Sequence, residues 1–319
     1  MPQPSVGDVH VDAILTNISV AYIQSQDNFI ADKVFPTVPV EKQSDKYFVY
    51  TKADWFRDEA KVRAPASESA GSGYGLSTAT YSADVYAFHK DVDDQVRANS
   101  DTPLRPDRDA TTFVTQRMLL RKEIQWASDF FTTSVWATDK TGGTDFTKWS
   151  SYAASDPIED VEAGKSTILT STGMMPNTLV LGYDAYRQLR NHPAIIDRVK
   201  YTSSNTVDTA TIARLLGLDR VLVSRGVKNT AAEGATISMS SLAGKNALLC
   251  YTTNSPGILQ PTAGYSFAWR GVSDGMGATV GISRFRLPEL RADRIESQMA
   301  WDNKVIASDL GYFFASCVA

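Results

Sequence analysis

Along the first hundred or so residues, hydrophobic positions come in short extended runs, with hardly a segment able to close a core. Lys46-Tyr-Phe-Val-Tyr50 and Thr80–Phe88 alternate aromatic or β-branched residues with polar ones, the period of a strand. The small-residue, Gly-rich stretch Ala64–Ser77 between them reads as a turn-forming tip. Glu41–Asp94 is therefore expected to be a long two-stranded arm. Val34-Phe-Pro-Thr-Val-Pro-Val40 before it is extended, since two prolines exclude helix. A short helix is expected near Asp12–Gln24. An isolated two-stranded ribbon is marginal in water, so such an arm implies a neighbour that supplies the missing surface.

The pattern then changes. After the connector Ala98–Asp109, residues Leu120, Ile124, Ala127, Phe131 and Val135 recur at helical spacing, with Phe113 further back on the same stripe. This predicts one helix over Ala110–Ala137, roughly 40 Å long, stopped by Lys140-Thr-Gly-Gly143. Its other side carries Arg117, Arg121, Gln125 and Asp129, a face that stays wet or meets another chain. Pro157 opens a second helix to about Thr172, with Glu159 and Asp160 behind it. Met175-Pro-Asn-Thr-Leu-Val-Leu-Gly182 feeds a buried strand. Short helices are expected at Tyr183–Arg190, Pro193–Tyr201 and Thr209–Leu216, and strands at Arg220–Ser224, Ala247–Thr252 and Ala278–Arg286. Residues 157–290 thus read as a compact α/β unit. In Ile295–Ala307, Ile295, Met299, Trp301, Val305 and Ala307 point one way and Glu296, Gln298, Asp302 and Lys304 the other, a long strand with one buried face. The fold class is α+β.

At 319 residues the chain is too long for one small core. Hydrophobic residues at 43% and charged residues at 21% exclude a disordered chain. No apolar run approaches the roughly 20 residues that span a bilayer, and the first residues lack the positive start and apolar core of a signal peptide. Cys250 and Cys317 alone make no disulfide framework, which favours a reducing compartment. A net charge of -4 argues against a sequence-specific DNA binder.

Candidate chemistry is thin. Ala163-Gly-Lys-Ser-Thr167 imitates the tail of a phosphate-binding loop, but Glu159 stands where its first glycine is needed and no strand precedes it. Gly71-Ser-Gly-Tyr-Gly75 opens no helix and reads as a loop tip. His10, His89 and His192 lie far apart, and the cysteines have no partner spacing. Asp91, Asp93 and Asp94 beside Lys90 lack the glycine and distal glutamate of a calcium loop and read as a salt-bridging face. No catalytic residue, metal or cofactor is expected. The informative cluster is Asp54-Trp-Phe-Arg-Asp-Glu-Ala-Lys-Val-Arg63. One reading is a locally folded loop with snorkelling charges. The favoured one is an intersubunit contact with Trp55 and Phe56 as anchors and Arg57, Glu59 and Arg63 in bridges, a residue mix enriched at interfaces. Arg117 and Arg121 on the long helix complete the expected contact set.

This order of parts resembles the major capsid protein of tailed bacteriophages, the Hong Kong 97-like shell fold. Local wording adds to it: Asn28-Phe-Ile-Ala-Asp-Lys-Val-Phe-Pro36, Lys46-Tyr-Phe and Asp54-Trp-Phe-Arg-Asp-Glu-Ala60 resemble the start of one branch of these proteins. Pro157-Ile-Glu-Asp, Met175–Gly182 and Leu189-Arg-Asn-His-Pro193 resemble the beginning of that family's axial domain. The resemblance implies an N-terminal arm at 1–40, an extended loop at 41–98, and the spine helix with the first part of the peripheral domain at 99–156. The axial domain would span 157–291, the peripheral domain's returning strand 292–308, and a return to the axial domain 309–319. It implies a virion protein, assembled in the bacterial host cytoplasm into hexamers and pentamers of an icosahedral head. Partners would be itself, a portal, a decoration protein in some systems, and packaged double-stranded DNA touched non-specifically, with no membrane. The chain has no room for the long scaffolding segment of some relatives, which implies a separate scaffolding protein or none. Some relatives join a loop lysine to a neighbour's asparagine. Lys46, Lys52, Lys61, Asn303 and Glu296 are the ingredients here, but acids around the lysines favour the charged, unreactive form, so no cross-link is expected. Two alternatives stand beside this reading: a bacterial nanocompartment (encapsulin-type) shell, and an enzyme with an unrecognised site in the α/β unit.

Overall fold

Two five-stranded sheets and two hairpins organise the described residues. The structure is a computed structural model that describes residues 24–50, 52–100, 104–200, 207–257, 259–272 and 281–319. The expected helix near Asp12–Gln24 lies almost wholly outside them, as do His10 and the first residues of the strand expected at Ala278–Arg286. In chain order the elements begin with α1 (Ala31–Val34), β1 (Thr37–Val40), β2 (Ser44–Tyr50), α2 (Lys52–Trp55), β3 (Leu76–Ser82) and β4 (Asp84–Asp93). Then come α3 (Asp94–Ala98), α4 (Pro106–Phe130), β5 (Thr138–Thr141), α5 (Pro157–Thr172), β6 (Thr178–Gly182), α6 (Tyr183–Arg190), α7 (Pro193–Val199) and α8 (Thr209–Leu215). Apart from short 3-10 turns, the remaining elements are strands: β7 (Arg220–Ser224), β8 (Val227–Asn229), β9 (Met239–Ser241), β10 (Ala247–Cys250), β11 (Gly264–Trp269), β12 (Gly281–Leu287), β13 (Ala292–Val305) and β14 (Gly311–Ala315).

The first sheet is built around β13. On one edge β4 pairs antiparallel with Ala292–Trp301. On the other, β12 and then β11 pair with it in succession, and β1 adds parallel to β11. Inward positions alternate as period two requires, with Ile295, Ser297, Met299 and Trp301 buried. The strand expected at Ala278–Arg286 thus belongs to this sheet and not to the α/β unit. Its partner is set by a crossing to β13 that local pattern does not encode.

The expected arm is also shorter than its pattern suggested. β2 and β3 pair from Ser44↔Ser82 to Tyr50↔Leu76, and the chain then turns through the buried Ala83 so that β4 leaves the ribbon for β13. Ser82 N–H donates to Asp302 Oδ2 at 2.8 Å, which fastens that turn to the sheet.

The long helix α4 ends at Phe130, seven residues before the expected Ala137, because Trp136 folds back and its indole N–H donates to the Phe130 carbonyl at 2.7 Å. That bond occupies one of the carbonyls a helix end leaves unpaired. The buried stripe is Ala110, Val114, Met118, Lys122, Trp126 and Phe130, joined by Glu123. Leu120 and Ile124, expected inside, are only half-buried. The first turns of α4 cover the β13 sheet through contacts of Ala110 with Val92 and Ile295, and of Met118 with Met299 and Trp301. Its last turn enters the main core, where Phe130 meets Phe35 and Trp136.

The second sheet runs β5-β14-β10-β6-β7, with α5 against it. Asp156 caps α5 by accepting from Ile158 and Glu159 N–H, Pro157 occupies the first turn, and Gly173 at φ +70° ends it. Gly164 is buried against this sheet: a Cβ there would stand 3.2 Å from Leu249 and 3.4 Å from Phe314. The glycine of the imitation phosphate loop thus serves close helix-on-sheet packing. Lys165 behind it donates to the Leu216 carbonyl and pairs with Glu162.

The first third is not wholly without a core. Ile30, Ala31, Val34 and Phe35 are buried in the main cluster. This stretch was misjudged because four apolar residues among charges look too short to seat, and the surface that accepts them comes from α4.

Candidate assembly surface

The β2–β3 ribbon and its tip carry a concentration of exposed apolar side chains: Phe48, Trp55, Phe56, Val62, Tyr74 and Leu76. Exposed apolar surface of this kind marks an interaction site. α2 breaks the ribbon's outward course, and Asp54 accepts the Gly75 N–H at 2.7 Å, closing the loop neck. Trp55 packs its ring 6.1 Å from Tyr50 and 5.6 Å from Tyr74, centre to centre, yet remains 55% exposed. Phe56 is 67% exposed and reaches towards Gly173 at the end of α5. Lys52 pairs with Asp309, a second tie between the ribbon and its own subunit.

The structure places five of the expected contact residues on one loop. Trp55 and Phe56 stand beside Arg57, which lies 3.6 Å from Asp54 and 3.2 Å from Glu59. Hydrogen bonds from Ser72 and then Arg57 hold the Glu59 carboxyl below the usual range. Arg63 donates to the Ser67 carbonyl at 2.6 Å. These charges find their partners within the loop in the isolated chain, with Arg57 and Arg63 exposed and Glu59 half-buried. Arg117 and Arg121 lie apart from this loop in the chain, on α4. Each rests on an aromatic ring, Arg117 at 5.1 Å from the Phe113 centre and Arg121 at 5.0 Å from that of Tyr86. Tyr86 stacks in turn on Trp301. The two arginines therefore cover the rim of the α4–β4 packing while their exposed sides remain open.

Sequence reasoning missed a strap. Residues 24–40 run from the α/β unit, across α4, to the first sheet. Gln24 brackets Val227, donating to its carbonyl at 2.8 Å and accepting its N–H at 3.1 Å. Glu123 of α4 accepts the N–H groups of Ile30 and Ala31 at 2.9 and 2.8 Å and the Ser224 hydroxyl at 3.3 Å. Lys122 pairs with Asp32. Arg220 donates to the Val34 carbonyl at 2.9 Å, and to Thr252 and Thr178. The one-turn α1 is thus clamped by a carboxyl that accepts at its amide end and by the Arg220 guanidinium at its carbonyl end, the latter the polarity its dipole favours. The available signal was the spacing Met118, Lys122, Trp126, which sets a charge inside an apolar stripe.

At the far end of the first sheet, Asp293 pairs with Arg284 and Arg286, and with Arg97 at 2.8 Å. Asp94 and Asp107 extend this network to the same arginines. Asp91 takes Arg294 at 2.7 Å and Asp93 caps α3, so the acidic run is a salt-bridging face. His192 accepts the Ala194 N–H at Nδ1, which puts its proton on Nε2, facing Ser155 Oγ at 3.0 Å; Ser155 itself donates to Ser151. The serine proton therefore points away from the imidazole, an arrangement that does not activate a nucleophile. Among the described residues no group of three or more His, Cys, Asp or Glu is placed to hold a metal, and no described helix is long and apolar enough to cross a membrane.

No family model matches the chain. It is 27% identical over 315 residues to the major capsid protein of Pseudomonas phage JBD67, covering 97% of both chains. It is 25% identical over 221 residues to that of Burkholderia phage BcepMu, covering 68% of this chain and 69% of the relative. In three dimensions it is similar to a phage-related protein of Bordetella bronchiseptica, with TM-score 0.69, 21% identity and 92% and 94% coverage. The capsid of cyanophage P-SCSP1u gives 0.62 at 11% identity, covering 98% and 95%. The SrpI encapsulin of Synechococcus elongatus gives 0.58 at 11%, covering 99% and 96%. The chain thus has the Hong Kong 97-like capsid fold, and along nearly its whole length its sequence is similar to phage major capsid proteins.

Proposed function

We propose that this chain closes, as hexamers and pentamers, into an icosahedral head around double-stranded DNA. The observation that carries this reading is the β2–β3 ribbon, which exposes Phe48, Trp55, Phe56 and Leu76 while Tyr47 and Tyr81 alone seat it on Phe267 of its own subunit. A subunit that must adjust to unequal neighbours needs such projecting contacts, and arms of this length bury far more than the roughly 1,600 Å² of a standard interface. Trp55, Phe56, Arg57, Glu59 and Arg63 are the ribbon's side of that contact, and Arg117 and Arg121 the spine's. Within the subunit, 1–40 serves as arm, 41–98 as extended loop, and 157–291 as axial domain except for β11 and β12, which join 99–156 and 292–308 in the peripheral domain. The role is structural and needs no cofactor. Assembly in the host cytoplasm with a separate scaffold and a portal completes the reading.

Electron micrographs of the purified protein, with nuclease-protected nucleic acid measured in the same particles, test this. Closed shells that retain protected double-stranded DNA in infected cells are expected. The similarity to an encapsulin favours one competing reading, a nanocompartment, which would show closed shells holding a protein cargo and no DNA.

A further inference from the structure

The chain's charge is unevenly placed. Between residues 183 and 245 nine lysines and arginines stand against five aspartates and glutamates, in a chain whose net charge is -4. A cleft of ≈ 560 Å³ opens in this stretch between α6 and the β7–β8 loop, lined by Tyr183, Asp184, Tyr186, Arg190, Arg225 and Val227, with Ser241 at its edge. Arg190 and Arg225 are both exposed, and neither has a carboxylate within ion-pair distance among the described residues. The arginines on strands β12 and β13 of the first sheet are, by contrast, paired, as the Asp293 network illustrates. Asp184 is the single acid on this lining, so two guanidinium groups outweigh it.

The walls are fixed. α6 is seated by the buried Ala185, Tyr186 and Leu189. The opposite wall is pinned by backbone bonds, Arg225 N–H to the Asn28 carbonyl at 3.2 Å and the two Gln24 bonds to Val227. Arg225 thus presents its side chain from an anchored backbone. Arg187, one turn before Arg190 on α6, is exposed as well and extends the positive edge.

We propose that this cleft binds the phosphodiester backbone of a nucleic-acid duplex, with Arg190 and Arg225 as paired phosphate ligands and Tyr183 as a neutral hydroxyl partner. Planar guanidinium forks match phosphate oxygens in a way an ammonium does not. Tyrosine hydroxyls and arginines both serve as backbone contacts that carry no base information. The inference deepens the reading of the chain as a subunit of a DNA-filled shell by naming where the subunit touches its contents. The remaining surface, net negative, keeps that contact local and reversible.

The test uses a fluorescein-labelled DNA duplex of random sequence and full-length unassembled subunits, with anisotropy titrations between 50 and 200 mM salt. The Arg190→Glu/Arg225→Glu variant is compared with Lys42→Glu/Lys46→Glu, which makes the same charge change on the ribbon. Loss of two phosphate contacts should flatten the slope of log affinity against log salt by about 2 and weaken binding at least about tenfold at low salt. The ribbon variant should keep the wild-type slope. Equal losses in both variants, or none in the cleft variant, would overturn the proposal. So would competition by an acidic polypeptide that displaces the duplex from wild type but not from the ribbon variant. Micrographs of the same variant separate the two readings: shells that close while duplex binding is unchanged refute the cleft alone, whereas wild-type subunits that never form shells refute the capsid reading itself.

Discussion

Glu123, buried on α4, accepts the backbone N–H of Ala31 at 2.8 Å, a bond that spans 92 positions of sequence and joins the N-terminal strap to the spine of the molecule. Burial pushes this carboxyl up to about 7, with the hydrogen bonds from Ala31, Ile30 and Ser224 pulling it back down. Asp32, on the strap, adds to the upward push, and Lys122 beside it is engaged with Asp32.

The sign of the resulting pH dependence is fixed by linkage. A folded value above the ordinary 4.5 means that the folded state holds a proton the unfolded chain releases. The stabilising contribution is therefore complete below about pH 4.5 and is lost as pH rises through 7, up to about 3 kcal/mol in all. Thermal melts of wild type and Glu123→Gln between pH 5 and 8 should diverge, with wild type losing ground as pH rises. Parallel curves would refute it.

His192 works in the opposite direction. Burial lowers its pKa, and its unprotonated Nδ1 caps α7. Its contribution is present above the ordinary 6.5 and is lost as pH falls through the lowered value. The imidazole proton resonance should titrate below 6.5, and His192→Ala should cost about 1–2 kcal/mol in denaturant melts through the lost cap. A midpoint above 6.5 would contradict the buried neutral ring.

The Asp293 carboxylate, held down to about 2 by Arg284 first and then Arg286 and Arg97, ties α3, β12 and β13 together. Its contribution is present above 3.8 and lost as pH falls through that lowered value. Asp293→Asn should lower the melting temperature by a few degrees at pH 7, and by much less at pH 2. The same drop at both pH values would assign the loss to packing rather than charge.

On the ribbon, deletion of Ala64–Ser77 should leave a soluble folded subunit that assembles poorly. Arg57→Glu and Arg63→Glu should likewise block assembly while melting temperatures hold, because both side chains are exposed and like charges at a packed interface cost several kcal/mol. Light scattering during assembly separates these outcomes. Normal shells from the deletion would remove the ribbon from the assembly reading.

Asn303 bears on covalent locking. Its Nδ2 donates to Asp129 Oδ2 at 2.9 Å and its Oδ1 accepts the Ser266 hydroxyl at 2.8 Å, so the amide is held at both ends inside its own subunit. Lys52 is paired with Asp309 and Glu296 with Gln298. Denaturing electrophoresis of mature particles should give a single band at the subunit mass of 34.9 kDa. A ladder of oligomers would show a lysine reaching an asparagine across subunits.

What the sequence determined by itself was local. Pro157 with Glu159 and Asp160 behind it marks the start of α5 because a fixed φ and acids near the amide end act within one turn. The alternation from Ile295 onward placed β13 because a half-buried strand shows its period directly. The exposed aromatics around Trp55 and Phe56 could be read as an unsatisfied surface because their neighbours in sequence offer no core. Tertiary structure alone decided the rest. The residues of β12 read equally well as a strand of either sheet, and only pairing with β13 chose between them. The seam Val85–Asp93 looks like a continuation of the ribbon until β13 captures it. Lys122 and Glu123 look like surface charges on a helix, and their burial is tolerable only because Asp32 and the amides of Ile30 and Ala31 arrive from about ninety residues away. Periodicity records the burial of apolar groups, whereas strand partners and buried charges depend on groups that are distant in sequence and meet only in the fold.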